Sequence, residues 1–588
     1  MTGRGLAALF VLAPAGLAAE AAAQDFRQSV PRAPEAVPPA VPAAPPEEPA
    51  EAGTADDPTP ILDRLAAVRF VADLADVPAA DAIAREGVVI VALPVLDTEA
   101  FRRRAESDIG RPASLQSLRA LARAAVAAYR AAGRPLVDVA IPEQDITDGR
   151  VTFLVREFVV GDVRIEGNRY FPTERLRRQI RLEPGQNVDQ TQLVADLDWI
   201  ARNPFRRVDL LYRRGEAPLT TDVIIRVTDR LPVRVYAAFE NNGTVITSRE
   251  RWSAGINWGD AFGGDGQLAY QFTASGDAFE DRHGRPLLFE AHSFTFAQPL
   301  GRRNSLIVFG TYQRTSPDLG PFLGFVGKSY QLSPRFAMPV LTRPGRRGQI
   351  TLGYDFKQTD NDLLFGGIVV SPESTQIHQV VVDFTVTTNW RGGIFSASTT
   401  LHLSPGGIGS RNTDQAFQPA PGRGGTPFAE ATYAYARATL TQRTPLGRLG
   451  AETVTRLVGQ VSSANLLPSE QLSAAGPGFV RTYDPNAVLG ARGLLATQEF
   501  WSPPVPVLGG RRDDRLQVGA FLDRGVVGNP ERLPGERKWR RTASVGAMLR
   551  YRLGPWLDVR LDYGLQLRTP PGARGRGSQG FLSVTLGY

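Results

Sequence analysis

The feature that most constrains this chain is an alternation of apolar and polar residues that starts near Leu231 and runs to Tyr588. From Trp556 to Arg568 the odd positions are Leu557, Val559, Leu561, Tyr563, Leu565 and Leu567, and the even ones are Asp558, Arg560, Asp562, Gly564, Gln566 and Arg568. Such a stretch is a β-strand with one apolar face. One strand of this kind would also suit a soluble sandwich, so repetition decides. Ile350, Leu352, Tyr354 and Phe356 alternate with Thr351, Gly353, Asp355 and Lys357, and Val380, Val382, Phe384 and Val386 obey the same rule. Sixteen such segments fit into residues 231–588, roughly 22 residues for each strand with its loop. An even count of long antiparallel strands is the pattern of a transmembrane barrel. Lipid cannot satisfy an open sheet edge, so the sheet must close. The expected fold is mainly β, a 16-stranded antiparallel transmembrane β-barrel.

The N-terminus is an address. Arg4, an apolar run from Leu6 to Ala19 and the small residues Ala21–Ala23 read as a secretory signal peptide over residues 1–23. Beyond it no stretch approaches the ~20 apolar residues of a spanning helix; the best, Gly87–Leu96, contains Pro94. Residues 24–74 read as a spacer, with ten prolines between Pro31 and Pro60, a composition that cannot build a core. Within it only Ile61–Asp76 could form a helix. The absence of cysteine excludes thiolate metal sites and cysteine nucleophiles, and four scattered histidines offer no metal-ligand spacing. The net charge of +7 over 588 residues does not indicate nucleic-acid binding. No catalytic residue, cofactor site or metal site is expected. Pro299–Gly301, Arg391–Gly393, Pro445–Gly447 and Gly554–Pro555 are short turns assigned to the periplasmic end of the barrel.

Between spacer and barrel a unit of strands and helices occurs twice, at a spacing of roughly 75 residues. In residues 75–158, Val88–Val91 is a strand, and Ser114 caps a helix holding Leu115, Leu118, Ala122, Ala125 and Tyr129. Val137–Val139 and Val151–Val155 are strands flanking Asp148-Gly149. In residues 159–230, Val163–Ile165 is a strand, helices start at Thr173 and Leu193, and Val208–Tyr212 and Val223–Val227 are strands. The segment Tyr129-Arg130-Ala131-Ala132-Gly133 … Ile141-Pro142-Glu143-Gln144-Asp145-Ile146 … Gly149-Arg150-Val151 resembles the first polypeptide-transport-associated (POTRA) domain of two-partner secretion transporters. Arg202–Val208 resembles the second.

Two motifs in the last third carry the resemblance further. Val480-Arg481-Thr482-Tyr483, between the eleventh and twelfth strands, resembles the Val-Arg-Gly-Tyr motif of loop six in this superfamily, with Thr482 standing where the family has glycine. Glu470–Ser473 and Gly490–Gly493 fit the same context. Phe521-Leu522-Asp523-Arg524-Gly525, on the thirteenth strand, resembles the family's Phe-x-Asp-x-Gly. Period-two parity turns Leu516, Val518, Ala520 and Leu522 to lipid and Gln517, Gly519, Phe521 and Asp523 to the lumen. A carboxylate there can accept a bidentate pair from an arginine on a folded-back loop, with Gly519 and Gly525 leaving room. Without the resemblance, Asp523 reads as a wetted lumen residue and Arg481 as a loop cation. The final strand, from Phe581 to Tyr588, resembles the terminal signal read by the barrel-assembly machinery.

The whole is similar to the transporter (TpsB) component of two-partner secretion, the hemolysin-activator and hemagglutinin-export family. The resemblance implies a protein of the Gram-negative outer membrane, with periplasmic POTRA domains, that moves one large secreted exoprotein to the cell surface. Its partners would be that exoprotein, outer-membrane lipid and, during biogenesis, the barrel-assembly machinery. Hemolysin activation would be one such use. Two rivals remain open. An outer-membrane protein insertion factor of the same superfamily would usually carry more POTRA repeats. A barrel enzyme would need a Ser/His or Asp/His pair that the histidines do not offer in sequence.

Overall fold

In the computed structural model, the described residues are 31–32, 58–77, 86–281, 284–319, 323–343, 345–365, 368–419, 425–447, 449–509, 513–569 and 575–588. The signal peptide expected at 1–23 and most of the Pro-rich spacer lie outside the described residues. The chain divides into two compact units, Glu35–Leu231 and the barrel from Pro232 to Tyr588, the latter joined by Pro31 and Arg32.

The first unit contains two sheets. In one, the strand Ala67–Val71 lies parallel to Gly87–Val91 on one side and to Arg150–Glu157 on the other, with Val137–Ala140 antiparallel at the far edge. Helices Glu99–Glu106 and Leu115–Ala131 cover it. Leu118, Leu121, Ala125 and Tyr129 bury against Val68, Phe70, Val151 and Phe153, and Phe70 stacks on Phe153 with ring centroids 4.8 Å apart. Ser114 opens the longer helix by accepting the Ser117 N–H, closing a capping box. The other sheet is three-stranded: Thr220–Asp229 lies between parallel Val159–Glu166 and antiparallel Arg206–Arg214. Helices Thr173–Arg177 and Gln190–Ile200 pack Leu176, Leu193, Leu197 and Ile200 into its core.

Two expectations are corrected here. The first repeat does not begin at residue 75, because Ala67–Val71, placed with the spacer, is, like Arg150–Glu157, an interior strand of its sheet, and all five of its residues are buried. Nor does Ile61–Asp76 form a helix: Pro60–Leu62 and Ala67–Val71 are strands, and only Leu74–Asp76 makes a 3₁₀ turn. The β-branched and aromatic residues Val68, Phe70 and Val71 favour strand, and both faces find apolar cover. Topologically Ala67–Val71, not Val88–Val91, is the counterpart of Val163–Ile165, since each lies parallel to the strand that also pairs antiparallel within the repeat.

The second unit is a closed barrel of sixteen strands, from Val233–Glu240 to Ser578–Gly587, every neighbour antiparallel. The first and last strands close it, from Tyr236↔Gly587 to Glu240↔Ser583. Side chains follow the predicted parity: Leu561, Tyr563 and Leu565 are exposed on the outside while Asp562 and Gly564 are buried inside. Aromatic pairs mark the apolar belt's borders, Trp556 with Tyr588 at one end and Tyr312 with Tyr330 toward the other. The short turns at 299–301, 391–393, 445–447 and 554–555 all follow even-numbered strands and so share one end, opposite the long connection after the eleventh strand, Ala451–Ser462. Inside, Arg32 bridges the closing seam. Its N–H donates to Tyr236 Oη at 3.0 Å, its guanidinium pairs with Glu240 at 2.9 Å on the first strand, and it also donates to Thr585 on the last.

Candidate functional site: loop six in the barrel lumen

The connection between the eleventh strand and the twelfth, Arg492–Trp501, folds back into the lumen. Its base is a short antiparallel bridge of Leu472–Ser473 with Leu489–Gly490. Above the bridge Leu472, Ala474, Val480, Tyr483 and Val488 bury against Val458, Leu495 and Val527 of the wall. The seat requires Gly525, as a Cβ there would lie 2.9 Å from both Ala474 Cβ and Val480 Cγ2. Gly519, expected to serve the same end, instead faces the wall itself, near Phe500 O, Met548 and Trp501.

Arg481 is 3% exposed. Its Nε donates to Asp523 Oδ2 at 2.8 Å and its NH2 to Oδ1 at 2.7 Å, a bidentate pair, and its backbone N–H reaches Oδ2 at 3.1 Å. The remaining side contacts Glu499 at 2.8 Å and Asp562 at 3.7 Å. Beneath the guanidinium lies the Phe521 ring, 3.8 Å from Cζ to centroid. Among the described residues, three carboxylates therefore face Arg481 and one further cation, Arg560, which holds Asp562 at 2.9 Å. Tyr483 closes the tip: its hydroxyl lies 2.8 Å from Arg568 O and accepts the Ala543 N–H at 3.3 Å. The structure thus gathers Val480, Arg481, Thr482, Tyr483, Phe521, Asp523 and Gly525 into one place. Phe581 and Tyr588 are not brought together. Phe581 pairs with Asp562 on the lumen face, whereas Tyr588 is 76% exposed at the chain end.

Thr482 is the strained member. Its φ of +76° is left-handed, a conformation that β-branched residues avoid, and its buried Oγ1 has no hydrogen-bond partner among the described residues. Replacing it by glycine removes the strain and the unsatisfied hydroxyl, each worth about 1–3 kcal/mol, against a loss of about 1 kcal/mol in chain entropy. Thr482→Gly is expected to raise the barrel's denaturation midpoint; an unchanged or lower midpoint would show that the loop absorbs the strain elsewhere.

A second anchor holds the other arm of the loop. Glu470 is 1% exposed and accepts from Lys357 at 2.6 Å, Tyr435 at 2.7 Å and Gln379 at 3.1 Å, side chains of three other strands. Burial pushes its carboxyl up, but Lys357 and the Tyr435 hydroxyl outweigh this and pull it down to about 2, from an ordinary 4.5. A lowered carboxylate pKa contributes stability above the ordinary value and loses it as pH falls through the folded value. Between pH 4.5 and 2 the wild type should therefore lose stability to denaturant more steeply than Glu470→Gln. Equal slopes would separate Glu470 from the acid response.

Parity could have placed Glu499 and Asp562 on the lumen wall, but only the folded loop shows that they share Arg481. Lys357, more than 100 residues before Glu470, gave no signal in sequence.

The fold and site define an outer-membrane barrel with a lumen-seated loop and two preceding POTRA domains. Residues 220–550 match the family described as haemolysin secretion/activation protein ShlB/FhaC/HecB. Residues 85–157 match a ShlB-type POTRA domain, and 158–230 the POTRA surface antigen variable number repeat. The chain belongs to the ShlB/FhaC/HecB family of two-partner secretion transporters. Among solved structures it is similar to CdiB from Escherichia coli, with a TM-score of 0.69 at 15% identity over 100% of this chain and 99% of that one. CdiB from Acinetobacter baumannii gives a TM-score of 0.62 at 15% identity, covering 93% and 95%. No curated protein matches the sequence.

Proposed function

We propose that this chain takes up one unfolded exoprotein from the periplasm on its POTRA domains and passes it through the barrel to the cell surface. The observation that carries this reading is the buried Arg481–Asp523 pair, which seats an outer loop inside a closed sixteen-stranded wall. A loop held by side chains rather than by the strand ladder can shift without opening the barrel. Among the described residues the POTRA sheets end in edge strands, Arg206–Arg214 among them, to which an extended segment can add. Chain leaving the pore folds outside, and that folding supplies the direction. No chemical step is required of the transporter.

The test is export of a large exoprotein encoded beside this gene, with and without this protein. Its surface appearance should depend on this chain, with periplasmic retention when the chain is absent. Normal export together with depleted outer-membrane barrels would replace this reading by the insertion-factor one.

A further inference from the structure

We propose that the outer face of the barrel carries a binding site for the phosphate groups of an outer-leaflet glycolipid, at the extracellular ends of strands twelve to fifteen. A concavity of 1520 Å³ lies there, with Arg524, Arg537, Arg541, Arg568 and Arg576 in its lining; Arg540, at its edge, belongs to the lumen side and donates to Leu489 O of loop six. The ladder places its floor outside the lumen. Asp523 points inward, so Arg524 and its cross-strand partners Ala496 and Ala543 point outward, as do Val526, Leu494 and Arg541 one rung higher. These outward positions, with Leu567, give an apolar floor beneath a basic rim.

Three features select the ligand. First, depth: along the outward face of strand thirteen Leu516, Val518, Ala520 and Leu522 are apolar, and Arg524 is the first charge. On strand fourteen the outward residues from Tyr551 to Ala543 are uncharged before Arg541. The arginines therefore stand just past the ~25 Å apolar band, at headgroup level. Second, pairing: among the described residues no carboxylate lies within 4.0 Å of the guanidiniums of Arg524, Arg537, Arg541, Arg568 and Arg576. At the opposite end of the same strands Arg515 pairs with Asp513 at 3.3 Å, and Arg550 and Arg552 pair with Asp558 at 3.2 and 2.8 Å. Third, chemistry: guanidinium groups bind phosphate bidentately, and the apolar floor with Trp539 suits acyl chains rather than a free ion. A phosphorylated, acylated lipid satisfies both halves.

The full-length protein in detergent, incubated with lipopolysaccharide, tests this, with bound lipid read by native mass spectrometry. Retention should fall about tenfold or more when Arg524→Glu and Arg541→Glu are combined, and equally when the lipid A phosphates are removed. Arg537→Gln with Arg576→Gln should weaken retention less, and serves if charge reversal impairs assembly, which heat-shifted mobility reports. Arg346→Glu with Arg391→Glu, a matched charge change at the periplasmic turns, should leave retention unchanged. The proposal is overturned by undiminished retention in both site variants, by equal loss in the periplasmic control, by indifference to phosphate removal, or by full displacement with millimolar inorganic phosphate.

Discussion

Arg481→Ala is expected to cut exoprotein export by more than tenfold while barrel levels stay near normal. Removing this guanidinium leaves Asp523, which is fully buried, and Glu499 and Asp562, which among the described residues keep Arg560 as an ion-pair partner. An uncompensated buried charge costs on the order of 3–5 kcal/mol. That cost falls on the loop's seat, because neither partner's side chain belongs to the hydrogen-bonded ladder. Asp523→Ala should be milder, since Arg481 keeps Glu499 at 2.8 Å and Asp562 at 3.7 Å. The double variant should export no worse than Arg481→Ala. Additive losses, measured as surface exoprotein per folded barrel, would mean that the two residues act separately. Normal export by Arg481→Ala would reduce the motif to packing.

Deletion of the first POTRA domain is expected to abolish export and leave an assembled barrel, whose sixteen strands close on one another. The deletion should span residues 58–157. Cutting at 75 would strand Val68, Phe70 and Val71, each 0% exposed in the intact sheet, and exposing each would cost about 1.5–3 kcal/mol. Export that survives the clean deletion would place uptake on the second domain alone.

How legible this protein was in sequence depended on the range of each signal. Period two is local, so the barrel, its strand number and the inward parity of Asp523 could be read from neighbouring residues. The helix opened by Ser114 and the hairpin around Asp148-Gly149 were readable for the same reason. Ala67–Val71 escaped because five residues beside a Pro-rich tract carry too little pattern, and its partners lie about 20 and 83 positions away. The Arg481–Asp523 pair was reached through two motifs together. Glu499, Asp562 and the Lys357–Glu470 anchor required the loop's path through the lumen, which no local spacing encodes.

The lumen as the exoprotein's route is tested most directly by photo-crosslinking from two adjacent residues of the ninth strand, Gly393–Pro405. Thr400 faces inward, donating its hydroxyl to Asp383 at 2.8 Å, and Leu401 faces lipid. With a crosslinker at either position and an exoprotein stalled in transit, position 400 should capture the exoprotein and position 401 should not. Equal capture at both positions, or capture at 401 alone, would contradict passage through the barrel.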